Sequence, residues 1–386
     1  MSALAPIAST THQPVRVGDG RNLSDGTTQT LSTLFTHQLL RPAASIRLVF
    51  ANWYNTDGDS LPGTDPIRVS AEVRAGGILP VTFDGRDHIR IEPGATVLSD
   101  PVPLDPHGGA GADRMLLSTC TVVSVGPGGR FPLGSSTDAS SGEGVAAGDL
   151  RGRPVPTASA YGYGPWQVLA EAPEADSALL LVVGDSNGVG FGDRRGGAEH
   201  FGWVRRRFDG RCDVMNISVS GARLENSMTA SQLALRLAQV QWSSPTTVLT
   251  ALGTNDIRCG VPGVAEVRER MLNHWGVLAT VAPCLIATTV PPATTSTDGW
   301  RTLEAQRLDH GNDTRRIIND WLRTVPAPLD AVFDLAAAVE AEPGLWRPGM
   351  TEDGVHPSPE GHAAIAAAAR DFSFEGDDAA VRAVRG

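Results

Sequence analysis

The chain has 386 residues, 41% of them hydrophobic, and a formal net charge of −11. Its positive charge is carried by arginine alone, and the absence of lysine excludes a Schiff-base lysine or a phosphate-loop lysine. An acidic balance without a basic cluster argues against nucleic acid as a partner, and no apolar stretch approaches an integral membrane span of about 20 residues.

The start, Met1-Ser2-Ala3-Leu4-Ala5-Pro6, has neither a basic opening nor a long apolar core. It does not read as a secretory signal, which fits a cytoplasmic protein or an exported one whose signal has been removed. A first strand is expected at Thr33–Leu40. From Ser45 the pattern is short strands and turns. Ile46-Arg47-Leu48-Val49-Phe50 precedes Asn52-Trp53-Tyr54, and Ile67–Val73 and His88–Ile91 alternate apolar with polar. Gly76-Gly77, Asp84-Gly85 and Pro93-Gly94 punctuate them. Met115–Leu117 and Cys120–Val123 continue the pattern. Residues 1–150 therefore read as an antiparallel β-sandwich, jelly-roll-like, serving as an accessory domain. In it, Trp53 is expected in the core and Arg47 in a structural role, with a sugar contact by Arg47, Asn52, Trp53 and Tyr54 as the alternative.

Residues 134–175 are rich in Gly, Ser, Pro and Ala and read mostly as loop, with 151–176 as an interdomain linker. The aromatics Tyr161, Tyr163 and Trp166 within it call for burial.

After Ser177 the period changes. Strands are expected at Ala178–Val183, Asp213–Ile217, Thr247–Leu252, Cys284–Thr289 and Ala331–Leu335. Helices are expected at Phe201–Phe208, Leu224–Trp242, Val264–Trp275, Glu304–Leu322 and Gly361–Ala369. Strands alternating with helices over 177–386 imply an α/β domain with a parallel sheet covered on both faces. In such sheets the reactive groups gather beyond the C-terminal strand ends.

Four of those ends carry chemistry. The apolar run Leu179–Val183 stops at Gly184-Asp185-Ser186-Asn187, placing a hydroxyl and a backbone N–H at the sheet rim. Ser186 alone reads equally well as a nucleophile or as a helix cap, and the G-x-S-x-G elbow is not present. Asn216-Ile217-Ser218-Val219-Ser220-Gly221 puts an unobstructed glycine N–H past a second strand. Gly253-Thr254-Asn255-Asp256 puts a side-chain amide past a third. Gly221 and Asn255 are also ordinary turn residues. Asp353-Gly354-Val355-His356-Pro357 supplies an imidazole and, three residues earlier, a carboxylate to fix its tautomer. His362, inside a helix, reads as a packing or hydrogen-bonding residue. Neither His200, His274 nor His310 joins a metal set, so no metal or organic cofactor is expected. Cys120, Cys212, Cys259 and Cys284 lack the close spacing of a zinc site and read as buried free thiols, with a Cys212–Cys259 bridge as the alternative in an exported protein.

These four blocks closely resemble the SGNH, or GDSL-like, hydrolase superfamily. The first block has Asn187 where leucine is usual, the second matches Gly221, the third Gly253–Asp256, and the last Asp353–Pro357 followed by Gly361-His362. The similarity covers roughly residues 177–372. It implies a flavodoxin-like three-layer sandwich with Ser186 as nucleophile, His356 as base and Asp353 as its orienter. It also implies an oxyanion hole of Ser186, Gly221 and Asn255. The front part is similar, more loosely, to the β-rich N-terminal region of bacterial two-domain members, several of them carbohydrate esterases or lipase-like esterases. The resemblance implies a serine esterase that removes short acyl groups, acetyl among them, from a small-molecule or saccharide ester through an acyl-enzyme. A lipase-like or thioester hydrolase, an acyltransferase and a non-catalytic carbohydrate-binding protein are the alternatives.

Overall fold

A computed structural model describes residues 4–8, 22–56, 58–104, 116–134, 136–172, 178–193, 201–260, 263–370 and 372. Met115, His200, the linker positions 173–176 and the loop positions 194–200 and 261–262 lie outside the described residues. The chain divides into two compact units. One comprises Met1–Ser177 with Ala234–Ser244, the other Ala178–Leu233 with Pro245–Gly386.

Two antiparallel sheets build the first unit. One runs in the order Leu4–Pro6, Gln167–Glu171, Ser45–Ala51, Val102–Pro103, with Thr96–Leu98 also on Ser45–Ala51. The other runs Gly144–Ala147, Thr30–Gln38, Leu116–Ser124, Ile67–Arg74, Ile78–Val81, with Ile89–Ile91 also on Ile67–Arg74. The inward set of the first sheet, Ile46, Leu48 and Phe50, meets Val69, Ala71, Val73 and Val123 of the second in one core. That is the period-2 burial a sandwich requires.

The stretch 134–172 is more ordered than its composition suggests. It supplies strands Gly144–Ala147 and Gln167–Glu171, and the second falls inside the span 151–176 that reads as a linker. Tyr163 and Trp166 are fully buried, whereas Tyr161 is 38% exposed, against the expectation for all three. The Tyr163 hydroxyl donates to the Ala51 carbonyl at 2.9 Å, and the Trp166 ring meets Trp53 edge-on at 4.2 Å. Trp53 is thus a core residue. Arg47 donates to the Ser99 carbonyl, and the Asn52 amide donates to the Asp65 and Ile91 carbonyls. The unit's later segment contributes Arg236, whose guanidinium donates to Ser60 Oγ and the Gly58 carbonyl.

The second unit holds a five-stranded parallel sheet in the order Asp213–Asn216, Leu179–Gly184, Thr247–Ala251, Cys284–Thr288, Ala331–Phe333. Counted within the unit this is 2-1-3-4-5, the flavodoxin-like order, whose switch point lies between the first and third strands. Leu180, Val182, Leu249, Ile286 and Phe333 bury one face against Trp203, Val204 and Phe208 of helix Gly202–Phe208 and Ile365 and Ala366 of helix Pro359–Ala368. The alternate positions Leu181, Val183, Val248 and Leu285 are equally buried, so the opposite face is covered too. Helices Val264–Leu278 and Asn312–Leu322 pack together through stacked Trp275 and Trp321.

Two expected helices are corrected. Leu224–Trp242 is a one-turn 3₁₀ segment at Leu224–Asn226, an α-helix at Ala230–Leu237 and a second 3₁₀ turn at Ala238–Val240. Ser227 Oγ donates to the Leu224 carbonyl at 3.0 Å, a local bond that competes with helix continuation. In Glu304–Leu322 only Asn312–Leu322 is helical. Gln306–Leu308 instead pairs antiparallel with Thr294–Ser296. The last helix starts at Pro359 rather than Gly361, because Ser358 Oγ caps it by accepting from the Gly361 N–H. No helix among the described residues is long and apolar enough to cross a membrane.

Candidate active site

Strand Leu179–Gly184 ends at the switch point, and the chain turns at once into a short helix, Ser186–Val189. Asp185 makes that turn. Its Oδ1 accepts the Asn187 N–H at 2.9 Å, which caps the helix and leaves Ser186 as the first helical residue. The Ser186 N–H then has no carbonyl within its own helix to bond. Asp185 is fully buried, and burial raises its carboxyl to about 6 against the lowering effects of the Asn187 N–H and the nearby His356.

The turn is braced from the neighbouring strand. The Asn216 side chain donates to the Gly188 carbonyl at 2.8 Å and accepts the Ser218 N–H at 3.0 Å. Gly188 sits close to the next strand end: a Cβ there would stand 2.5 Å from Ser218 Oγ and push that side chain aside. A glycine lets the helix carrying Ser186 lie this close to the next strand end without displacing Ser218.

The last block is caged just as tightly. Gly354 has φ +79°, and a Cβ would collide with the Thr294 carbonyl. That backbone donates to Thr351 Oγ, accepts the Thr294 N–H at 2.9 Å and accepts the Trp346 indole N–H at 3.1 Å. Thr351 Oγ in turn donates to the His356 carbonyl. The turn brings Asp353 onto His356 in two bonds, with a third to Val355. Oδ2 lies 2.6 Å from ring Nδ1, and Oδ1 accepts the N–H groups of Val355 and His356, each at 2.8 Å. Burial pushes the Asp353 carboxyl upward, but the His356 ring and backbone bonds overcome it and hold it at about 2.

The two blocks meet through one short bond. Ser186 Oγ lies 2.8 Å from His356 Nε2, and Ser186 is only 8% exposed. Hydroxyl, imidazole and carboxylate thus form a continuous relay across 170 residues of sequence. That arrangement can take a proton from the hydroxyl and stabilise the imidazolium that results.

Gly221 and Asn255 follow the two strands that flank Leu179–Gly184, at the same sheet edge. Val219 donates to the Gly184 carbonyl, which keeps the Gly221 turn beside the serine strand, and Gly221 has φ +82°. Asn255 Nδ2 donates to the Ala222 carbonyl at 3.0 Å, tying the third block to the second. A carboxamide has two N–H donors, so one remains for a substrate oxygen. Asp256 fixes the same loop: Oδ2 accepts the Leu224 N–H, and Oδ1 pairs with Arg270. Burial raises the Asp256 carboxyl.

His362 is the buried structural histidine its helical setting suggests. Nδ1 accepts the Trp203 N–H at 3.1 Å and Nε2 donates to the Phe191 carbonyl at 3.0 Å, which fixes the neutral Nε2–H tautomer. Burial lowers its pKa to about 4. His274 is likewise buried, between Thr250 and the Ser227 carbonyl, and His310 is an exposed partner of Asp309. Among the described residues no group of three or more His, Cys, Asp or Glu stands at metal-binding spacing. Cys259 is an exposed free thiol, not bridged to Cys212. Cys120 is buried, and burial raises its thiol to about 11.

Sequence reasoning missed Asn216, Thr351, Trp346 and Phe191 at this site. The first three act through backbone contacts that no local pattern encodes. Phe191 packs its ring on His356, centroid to centroid 4.4 Å.

Residues 182–364 match the model of the GDSL-like Lipase/Acylhydrolase family. Comparison with curated protein sequences gives no match. Among solved structures, the chain is similar to a lipolytic protein of the G-D-S-L family from Veillonella parvula (17% identity, 51% of this chain and 98% of that one, TM-score 0.37). It is similar to a catalytic mutant of an acetylxylan esterase from Geobacillus stearothermophilus (21% identity, 51% and 95%, TM-score 0.35). A family two carbohydrate esterase from Clostridium thermocellum is matched over 96% of this chain and 99% of that one, at 13% identity and TM-score 0.39. Residues 182–364, which include all four sequence blocks, are a GDSL-like lipase/acylhydrolase domain.

Proposed function

We propose that this protein is a serine esterase that removes short acyl groups, acetyl among them, from a carbohydrate or related alcohol. The observation that carries the reaction type is the 2.8 Å bond between Ser186 Oγ and His356 Nε2, continued at 2.6 Å to Asp353. Ser186 Oγ attacks the ester carbonyl as His356 Nε2 takes its proton. Charge on the former carbonyl oxygen is met by the N–H groups of Ser186 and Gly221 and by the Asn255 amide. Collapse breaks the C–O bond, and the alcohol leaves with the proton held by His356. Water, deprotonated by the same nitrogen, attacks the acyl-enzyme and frees the acid and the serine. The antiparallel β unit that accompanies the hydrolase domain supports a carbohydrate alcohol, as an accessory module for a larger substrate.

A fluorophosphonate probe tests the nucleophile. The unaltered chain is expected to be labelled at Ser186, and Ser186→Ala to escape labelling while retaining its fold. Failure of the folded, unaltered chain to label would favour a binding protein. A panel of acyl lengths on sugar and non-sugar alcohols tests the substrate. Preference for long-chain lipid esters would overturn the short-acyl carbohydrate reading.

A further inference from the structure

Phe191 is 41% exposed, an unusual position for a large aromatic side chain held so firmly. Its backbone N–H donates to the Ser186 carbonyl at 2.9 Å. Its carbonyl accepts from the buried His362 at 3.0 Å. On either side, Gly190 and Gly192 adopt φ +95°. A Cβ on Gly192 would stand 2.6 Å from the Pro357 carbonyl, so the segment presses directly on the backbone that follows His356. These restraints fix the backbone that carries Phe191, and its ring lies against the His356 imidazole, centroids 4.4 Å apart and planes inclined by 48°.

The location is informative because of what His356 does in the proposed reaction. When the acyl-enzyme forms, His356 Nε2 returns the serine proton to the departing oxygen. That oxygen must come within about 2.6–3.2 Å of Nε2. Whatever is attached to it then lies beside the imidazole. The acyl carbon, in contrast, is bonded to Ser186 and faces the donors at Gly221 and Asn255. A ring fixed on His356 therefore borders the alcohol half of the ester, not the acyl half. Core packing does not account for a phenylalanine left two-fifths exposed at this point.

We propose that Phe191 is a specificity-determining residue: its open surface is the wall against which the leaving alcohol packs, and it favours alcohols that present a flat apolar face, such as the C–H face of a pyranose. This inference rests on the esterase reading above and deepens it by assigning the alcohol subsite. Because the ring already packs on His356, less side-chain freedom is lost when an alcohol docks on it. An aromatic contact contributes about 0.5–1.5 kcal/mol beyond simple area burial, which corresponds to roughly two- to tenfold in kcat/KM.

The test compares acetyl esters that share the acyl group and differ in the alcohol: an acetylated methyl pyranoside against ethyl acetate. The quantity read is the ratio of their kcat/KM values, in the full-length chain and in Phe191→Ala and Phe191→Leu. Any disturbance of His356 lowers both substrates together and cancels in the ratio. The ratio is expected to fall roughly two- to tenfold in both variants, with Phe191→Leu the smaller change. An unchanged ratio in either active variant overturns the assignment. Fluorophosphonate labelling run beside it separates the two levels. Labelled enzyme with an unchanged ratio sinks the alcohol wall alone, whereas an unaltered chain that neither labels nor turns over an ester sinks the esterase reading and this one with it.

Discussion

Asp353 holds His356 at both ends: Oδ2 lies 2.6 Å from ring Nδ1, while Oδ1 accepts the backbone N–H of the same residue at 2.8 Å. The double grip makes Asp353→Asn informative. Two backbone N–H groups, of Val355 and His356, occupy Oδ1. The asparagine oxygen takes that place, which turns its NH₂ toward Nδ1. A ring nitrogen facing a donor must be unprotonated, so the proton moves to Nε2, where it blocks transfer from Ser186. We expect kcat to fall on the order of 10³–10⁴-fold with the fold intact, measured on an acetyl ester. Near-normal kcat would show that Asp353 does not set the tautomer.

Asn255 presents a different balance. One amide N–H is committed to the Ala222 carbonyl, and the other is assigned to the developing oxyanion. A donor aimed at the transition state affects kcat more than KM. Asn255→Ala should therefore lower kcat by about 10²–10³-fold, or about 3 kcal/mol, with a much smaller change in KM. A rise in KM at constant kcat would assign the amide to substrate binding instead.

Much of the candidate site is legible in the sequence because Ser186, Gly221 and Asn255 follow strand ends that apolar runs mark, while Asp353 and His356 lie in a turn just before the last helix. Ser186, Gly221, Asn255 and the Asp353–His356 pair are found this way, each within a few residues of a recognisable run or turn. What escapes is non-local. The Asn216 amide braces the serine turn from the next strand, and Trp346 holds Gly354 from eight residues away. Phe191 reads as a loop hydrophobe until its contact with His356 is known. The helix errors have the same origin. Arg307 lies in a charged, helix-like run but pairs with Thr295 in a hairpin, and a partner strand outweighs weak local propensity.

Asp185 carries a cost that the capping role does not require. Its carboxyl is pushed up to about 6 in the fold from an ordinary 3.8, since burial penalises the charged form. The folded state therefore binds the proton more readily, and stability rises as pH falls from about 6 to about 3.8. Above pH 6 the ionised group opposes folding. Asp185→Asn keeps an oxygen that can accept the Asn187 N–H and removes the charge. Denaturant unfolding at pH 7.5 should show the variant more stable, on the order of 3 kcal/mol at most. Lower stability would mean that the charge itself strengthens the cap by more than its burial costs.

His362 should produce the opposite dependence. Burial lowers its pKa to about 4 from an ordinary 6.5, and its two bonds require the neutral ring. As pH falls below about 6.5 the unfolded chain takes up a proton that the folded chain refuses. Stability is therefore lost between about pH 6.5 and pH 4, and no further loss from this group follows below that window. The full shift is worth on the order of 3 kcal/mol. His362→Gln cannot titrate, and its amide oxygen and N–H groups can serve the Trp203 N–H and the Phe191 carbonyl only in part. It should be less stable than the parent at pH 7.5, and the difference should shrink as the pH is lowered to 4.5. Unfolding free energies at the two pH values measure this directly. A difference that stays constant would show that His362 does not carry the acid sensitivity. Asp353 does not blur the result: its folded value near 2 confines its own contribution, present above 3.8 and lost toward 2, to more acidic solution.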